Sequence, residues 1–173
     1  MREYLNFQEI YKVCSRILQR EQHSLQCLVT VKKLEYLRLI LNKELLNSYW
    51  KVTKVPRYVA CAIESKTVDL KFSIDSLLKN LIEHPEITFD EYISLPKYLL
   101  NAEYILKKNN KNLIYFKIED KIFQFVVKRT TSGGELFITT FHVASIKQLK
   151  KDICRYKKID SFDFEDSKYP SVT

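Results

Sequence analysis

Glycine is almost missing: Gly133 and Gly134 are the only two in 173 residues, and they are adjacent. Phosphate-cradling GxxxxGK[ST] loops and the dinucleotide-binding GxGxxG turn need several glycines for close backbone approach, so this chain holds neither. The HExxH and GxSxG signatures of zinc proteases and serine hydrolases are absent too. Four prolines, no Gly/Ser-rich stretch and no repeat leave nothing with linker or low-complexity composition. The four cysteines, Cys14, Cys27, Cys61 and Cys154, lie far apart without CxxC spacing. They signal neither a zinc site nor a redox pair, and free, buried thiols are expected. No apolar run is long enough to cross a bilayer, and the opening MREYLNFQEIYK mixes acids, bases and aromatics unlike a signal peptide. A cytoplasmic protein with no membrane partner, no cofactor and no metal is the resulting expectation.

What is present is a chain that is 46% hydrophobic, enough for one ordinary domain or a small domain with an appendage. Its formal net charge of +8 favours a polyanionic partner, nucleic acid being the commonest. The excess is spread out: eleven Lys and Arg stand against six acids in residues 1–65, and eighteen against fifteen thereafter.

The most informative stretch is 121–142, KIFQFVVKRTTSGGELFITTFH. Phe123, Phe125 and Val127 alternate with Ile122, Gln124, Val126 and Lys128, the period of two of a strand. In the second half Leu136, Ile138, Thr140 and His142 alternate with Glu135, Phe137, Thr139 and Phe141. RTTSGG between them reads as a hairpin loop, since glycine accepts the positive φ such a loop requires.

Upstream, Asn6 caps a helix over 6–22 with Phe7, Ile10, Tyr11, Cys14, Ile17 and Leu18 at helical spacing. SLQCLVTV (24–31) reads as a strand, after which Thr30 caps a helix running through Leu34, Leu37, Leu41, Leu45 and Leu46 with no Gly or Pro before Pro56. YVACAIES and TVDLKFS read as extended. Ser73 then caps a helix carrying Ile74, Leu77, Leu78, Leu81 and Ile82, which must stop at His84 because Pro85 disfavours helical geometry in its predecessor. Thr88 to Glu91 is a capping box for a short helix that Pro96 ends. LNAEYIL, LIYFKI, KIFQFVV and ELFITTF follow as an antiparallel meander. Ser145 to Gln148 is a second capping box, opening a helix with Ile146, Leu149 and Ile153 inward and a cationic outer face of Lys147, Lys150, Lys151 and Arg155. The chain is therefore expected to be α+β: a small central antiparallel meander with packed helices, a helical extension at 1–65, a core domain at 66–158 and an acidic tail at 159–173.

SIDSLLKNLIEHPEIT, DEYISLPKYLL and the hairpin with GGELFITTFH, closed by the basic helix, resemble the phage-associated branch of the barnase, EndoU, colicin and RelE-like nuclease group. The resemblance covers about residues 66–158. It implies helices packed on a small antiparallel sheet and RNA cleavage without metal, as in the group's best-studied members. It would make RNA, tRNA included, the substrate of a toxin or phage effector, with an inhibitor or immunity protein as a further partner.

Such cleavage uses the 2′-OH as nucleophile and needs a group to take its proton, a group to protonate the leaving oxygen, and charge or hydrogen bonds on the phosphoryl oxygens. Histidine titrates near neutrality and suits either proton role. His84 and His142 lie inside the resemblance, His23 outside it. Lys128, Thr139 and Thr140 complete the candidate catalytic set, and Arg129, Lys97, Lys147, Lys150 and Lys151 are candidate RNA and phosphate contacts. Two other readings stay open: a non-catalytic RNA-binding module, and a phage or mobile-element protein-interaction domain.

Overall fold

The computed structural model describes residues 4–161. β1 (Tyr4–Leu5) leads into α1 (Phe7–Arg20), whose Asn6 and Glu9 form a reciprocal capping box. Then come α2 (Gln22–Gln26), α3 (Thr30–Ile40), α4 (Lys43–Asn47), β2 (Tyr49–Lys54), α5 (Arg57–Ala62) and β3 (Asp69–Ser73). α6 (Ile74–Glu83) starts directly on β3, with Ser73 accepting from the Ser76 amide. α7 (Phe89–Ile93) and α8 (Leu95–Leu100) precede the meander of β4 (Tyr104–Lys107), β5 (Asn112–Ile118), β6 (Ile122–Arg129) and β7 (Leu136–Ala144). α9 (Ile146–Arg155) and β8 (Lys157–Lys158) follow.

The strands make one sheet in the order β1-β2-β3-β7-β6-β5-β4-β8. β4 to β7 pair antiparallel with their chain neighbours, as the alternating pattern predicts. β3 joins β7 in parallel, through Leu70 and Leu136 and through Lys71 and Phe137 only. One large apolar cluster lies on the first face of the sheet, where Phe7, Trp50, Leu77, Tyr92, Phe125 and Phe141 are among its members. On the second face a smaller cluster of Leu106, Ile114, Phe116 and Leu149 seats α9 over β4 and β5.

Several local expectations are corrected. SLQCLVTV is no strand: it is the end of α2, a turn and the start of α3, with Val29 and Val31 exposed and no strand beside them. Thr30 is the first helical residue rather than the cap, a position that Val29 occupies. The long helix through Leu46 breaks at Leu41 because the Asn42 side chain accepts from the Glu44 amide and starts α4. YVACAIES is helical over Arg57–Ala62, burying Val59, Ala60 and Ala62 behind Pro56. Residues 1–65 contribute more than helices, since β1 and β2 join the sheet and Phe7, Ile10 and Trp50 share the large cluster with residues beyond 66.

In the hairpin, a bulge at Thr139 breaks the expected alternation. Phe125 faces Phe141 and Val126 faces Thr140, but Val127 faces Ile138, so one extra residue on β7 flips the parity. Leu136, Ile138 and Phe141 therefore all enter the large cluster. On α9, Ile146 and Ile153 are exposed, and the inward positions are Leu149 and Asp152. Ser145 caps the Gln148 amide, but Gln148 turns its own side chain to Asp152 Oδ1 at 2.8 Å, leaving half a capping box. Pro96 sits in the first turn of α8 and opens that helix instead of merely ending α7. All four cysteines are free, though only Cys14 is buried. Most of the acidic tail falls outside the described residues. Among those described, no helix is long and apolar enough to cross a membrane.

Candidate functional site

The two candidate histidines, distant in sequence, meet. α6 ends at His84 ahead of Pro85, and His142 lies on β7; their rings stack with centroids 4.9 Å apart and planes 22° from parallel. The link between the two elements is Asn80. β3 covers the edge of β7 only as far as Phe137, and beyond that point Asn80 replaces the missing strand. Its side chain accepts from the Phe141 amide at 2.8 Å and donates to the Phe141 carbonyl at 2.8 Å and to the Tyr92 hydroxyl at 2.6 Å. Asn80 is almost wholly buried. A polar residue on the leucine face of α6 was the sequence signal for this contact.

His142 is half-buried, and its Nδ1 is buried without a hydrogen-bond partner among the described residues. Burial first, then the neighbouring His84, pushes the His142 pKa below the ordinary histidine value, partly opposed by Glu86. The shift favours the neutral imidazole, the form able to accept a proton. Glu86 Oε1 lies 3.4 Å from His84 Nδ1, within ion-pair reach of a protonated ring.

Cross-strand pairing shows what shares their face. Gln124 lies opposite His142, Val126 opposite Thr140 and Lys128 opposite Phe137. These pairs form a strip along the second face of the β6–β7 ladder, because Phe123, Phe125 and Val127 fill the first. Lys128 is four residues from Gln124, so it stands about 13 Å along the strip from the histidines. Thr139, the bulge residue, donates from Oγ1 to the Val126 carbonyl at 3.3 Å. Gln124 is buried and its amide lies 3.4 Å from Asp152, the inward carboxylate of α9.

At the Lys128 end the strip opens into a cleft of about 760 Å³. Phe137, Thr139 and Lys128 line it from the sheet, and Ser73 and Ser76 from the start of α6. Arg38 of α3 and Lys43 and Asn47 of α4 line it as well. Arg38 is held by Asp75 through two 2.7 Å bonds, whereas neither Lys43 nor Lys128 forms an ion pair with a described residue. α6 spans ten residues, which sets its N-terminus at the cleft about 15 Å from His84. The candidate constellation is therefore extended: a histidine pair at one end, threonines between, and a cationic cleft at the other. Sequence reading missed the α3 and α4 lining of this cleft entirely, since residues 38–47 look like plain helix there.

The remaining candidates are placed differently. Arg129 also lines the cleft but is buried, and its guanidinium donates to the carbonyls of Ile63, Asn110, Thr130 and Thr131, with Glu64 Oε2 at 3.5 Å. It ties the hairpin loop to residues 63–64, where Gly133 at φ +75° also packs: a Cβ there would lie 3.0 Å from the Glu64 carbonyl oxygen. Those donors are engaged inside the protein. Lys97 is exposed on α8, whose Tyr98 stacks on Phe123 of the first face, while Lys147, Lys150 and Lys151 are exposed on α9 across the sheet. No group of three or more His, Cys, Asp or Glu able to hold a metal occurs among the described residues. Comparisons with protein-family models, curated proteins and solved structures found no match to this chain, so the nuclease resemblance rests on the residues quoted for it.

Proposed function

We propose that this protein is a metal-independent endoribonuclease. The observation that carries the reading is the stacked His84–His142 pair, assembled from two elements on the sheet face that also bears Thr140 and Lys128. Neutral His142 accepts the 2′-OH proton and the freed oxygen attacks the adjacent phosphorus. The P–O5′ bond breaks and the leaving oxygen takes a proton from His84, giving a 2′,3′-cyclic phosphate and a 5′-OH. Thr140 donates to the phosphoryl oxygens, and Lys128 holds a neighbouring phosphate of the chain. Incubation with total RNA and a tRNA pool in EDTA tests this: the wild type cleaves, and His84→Ala and His142→Ala each lose at least a hundredfold in rate. Intact RNA with the wild type overturns it.

A second reading is favoured by the separation of the cleft from the histidines, about 13 Å along the ladder. A non-catalytic RNA-binding module needs only the cationic cleft. Salt-sensitive RNA binding without cleavage identifies that case. Neither binding nor cleavage turns attention to a protein partner, for which α3 offers exposed Val31, Leu39 and Ile40.

A further inference from the structure

We infer that residues 38–47 and the β6–β7 strip together form a subsite for one unpaired nucleotide of RNA, with the base on Phe137 and its phosphate between Lys43 and Lys128. The inference rests on the RNA reading above, but not on catalysis. The cleft's 760 Å³ falls in the range that encloses a small organic ligand. Its chemistry is divided as a nucleotide requires. Phe137 is partly exposed on the second face and gives a flat apolar surface for a base. Lys43 and Lys128 are exposed, free of described ion pairs, and come from different elements, α4 and β6. Arg38 is neutralised by Asp75, and the Arg129 donors are taken by backbone carbonyls and Glu64, so the two lysines supply the free charge. The exposed amide of Asn47, beside them, has the donor and acceptor needed to meet a base edge. Stacking on a side chain demands a base splayed out of a helix, which makes the ligand single-stranded.

The subsite gives residues 38–47 a role: they hold single-stranded RNA at the end of the strip away from the histidine pair. The test is fluorescence polarisation of a short fluorescein-labelled single-stranded RNA against full-length protein carrying His142→Ala, so that the probe stays intact. Adding Lys43→Ala should flatten the slope of log affinity against log salt by about 0.7, the value of one single-strand phosphate contact. Adding Phe137→Leu, which keeps most of the volume, should weaken binding about tenfold with an unchanged thermal midpoint. Adding Asn47→Ala should change the preference among homopolymer probes. Binding unaffected by Lys43→Ala and Phe137→Leu, or no binding of the probe at all, overturns the inference. If the wild type fails to cleave while these losses persist, the subsite stands and the nuclease does not.

Discussion

His142 concentrates the argument at the scale of single residues. Its depressed pKa means that the unfolded chain takes up a proton before the folded one as pH falls. The stability associated with its neutral ring is present above about pH 6.5, the ordinary histidine value, and is lost as pH drops through the lowered value in the fold. The urea midpoint of the wild type should therefore fall between about pH 7.5 and about pH 5.5 by more than that of His142→Gln, since every other titrating group is common to both. Equal losses in the two proteins would remove the claim that this ring is held neutral. As a candidate, the residue was legible in the sequence, because a histidine beside a strand end is visible there. His84 was legible as a candidate too, but the contact between the two rings was not, because only the tertiary fold brings them together. Arg129 marks the opposite limit: sequence displays a charge at a loop mouth, but not that four carbonyls already engage it.

Among elements, the junction of α6 and β7 decides whether the site exists. β3 leaves the β7 edge unpaired past Phe137, and Asn80 alone satisfies both backbone groups of Phe141. Asn80→Leu keeps the size but orphans a buried N–H and C=O, each costing about 1–3 kcal/mol. Chemical denaturation should record a loss of about 3 kcal/mol, and the His84 and His142 ring resonances should shift as the stack loosens. A variant as stable as the wild type would show that the edge is satisfied some other way. The meander, the hairpin and the capped ends of α1, α6 and α7 were legible because each depends on residues within one turn or one strand pair. β2 and α5 were not. Trp50 and Val52 alternate, but they follow a leucine run without a Gly or Pro stop, and YVACAIES, with β-branched Val59 and Ile63, becomes helical through burial. The Thr139 bulge was equally hidden, since a strict period of two cannot reveal one inserted residue.

Across the whole molecule, the expected boundary at residue 65 is bridged twice. β2 pairs with β3 over five positions, and one apolar cluster runs from Phe7 to Ile159. The basic balance of +8 was legible from composition, but its division between a cleft at the Lys128 end of the strip and a lysine-rich helix on the same face over β4 and β5 comes from the fold. In the proposed reading the strip between histidine pair and cleft gives the charge a direction: substrate held at Lys43 and Lys128, chemistry at His84 and His142. The most direct measurement is end-group analysis, in EDTA, of a defined single-stranded RNA after exposure to the protein, beside the same strand fully 2′-O-methylated. The account predicts 2′,3′-cyclic phosphate and 5′-OH ends from the first and no cleavage of the second. Intact RNA, 5′-phosphate ends, or cutting of the methylated strand would contradict it.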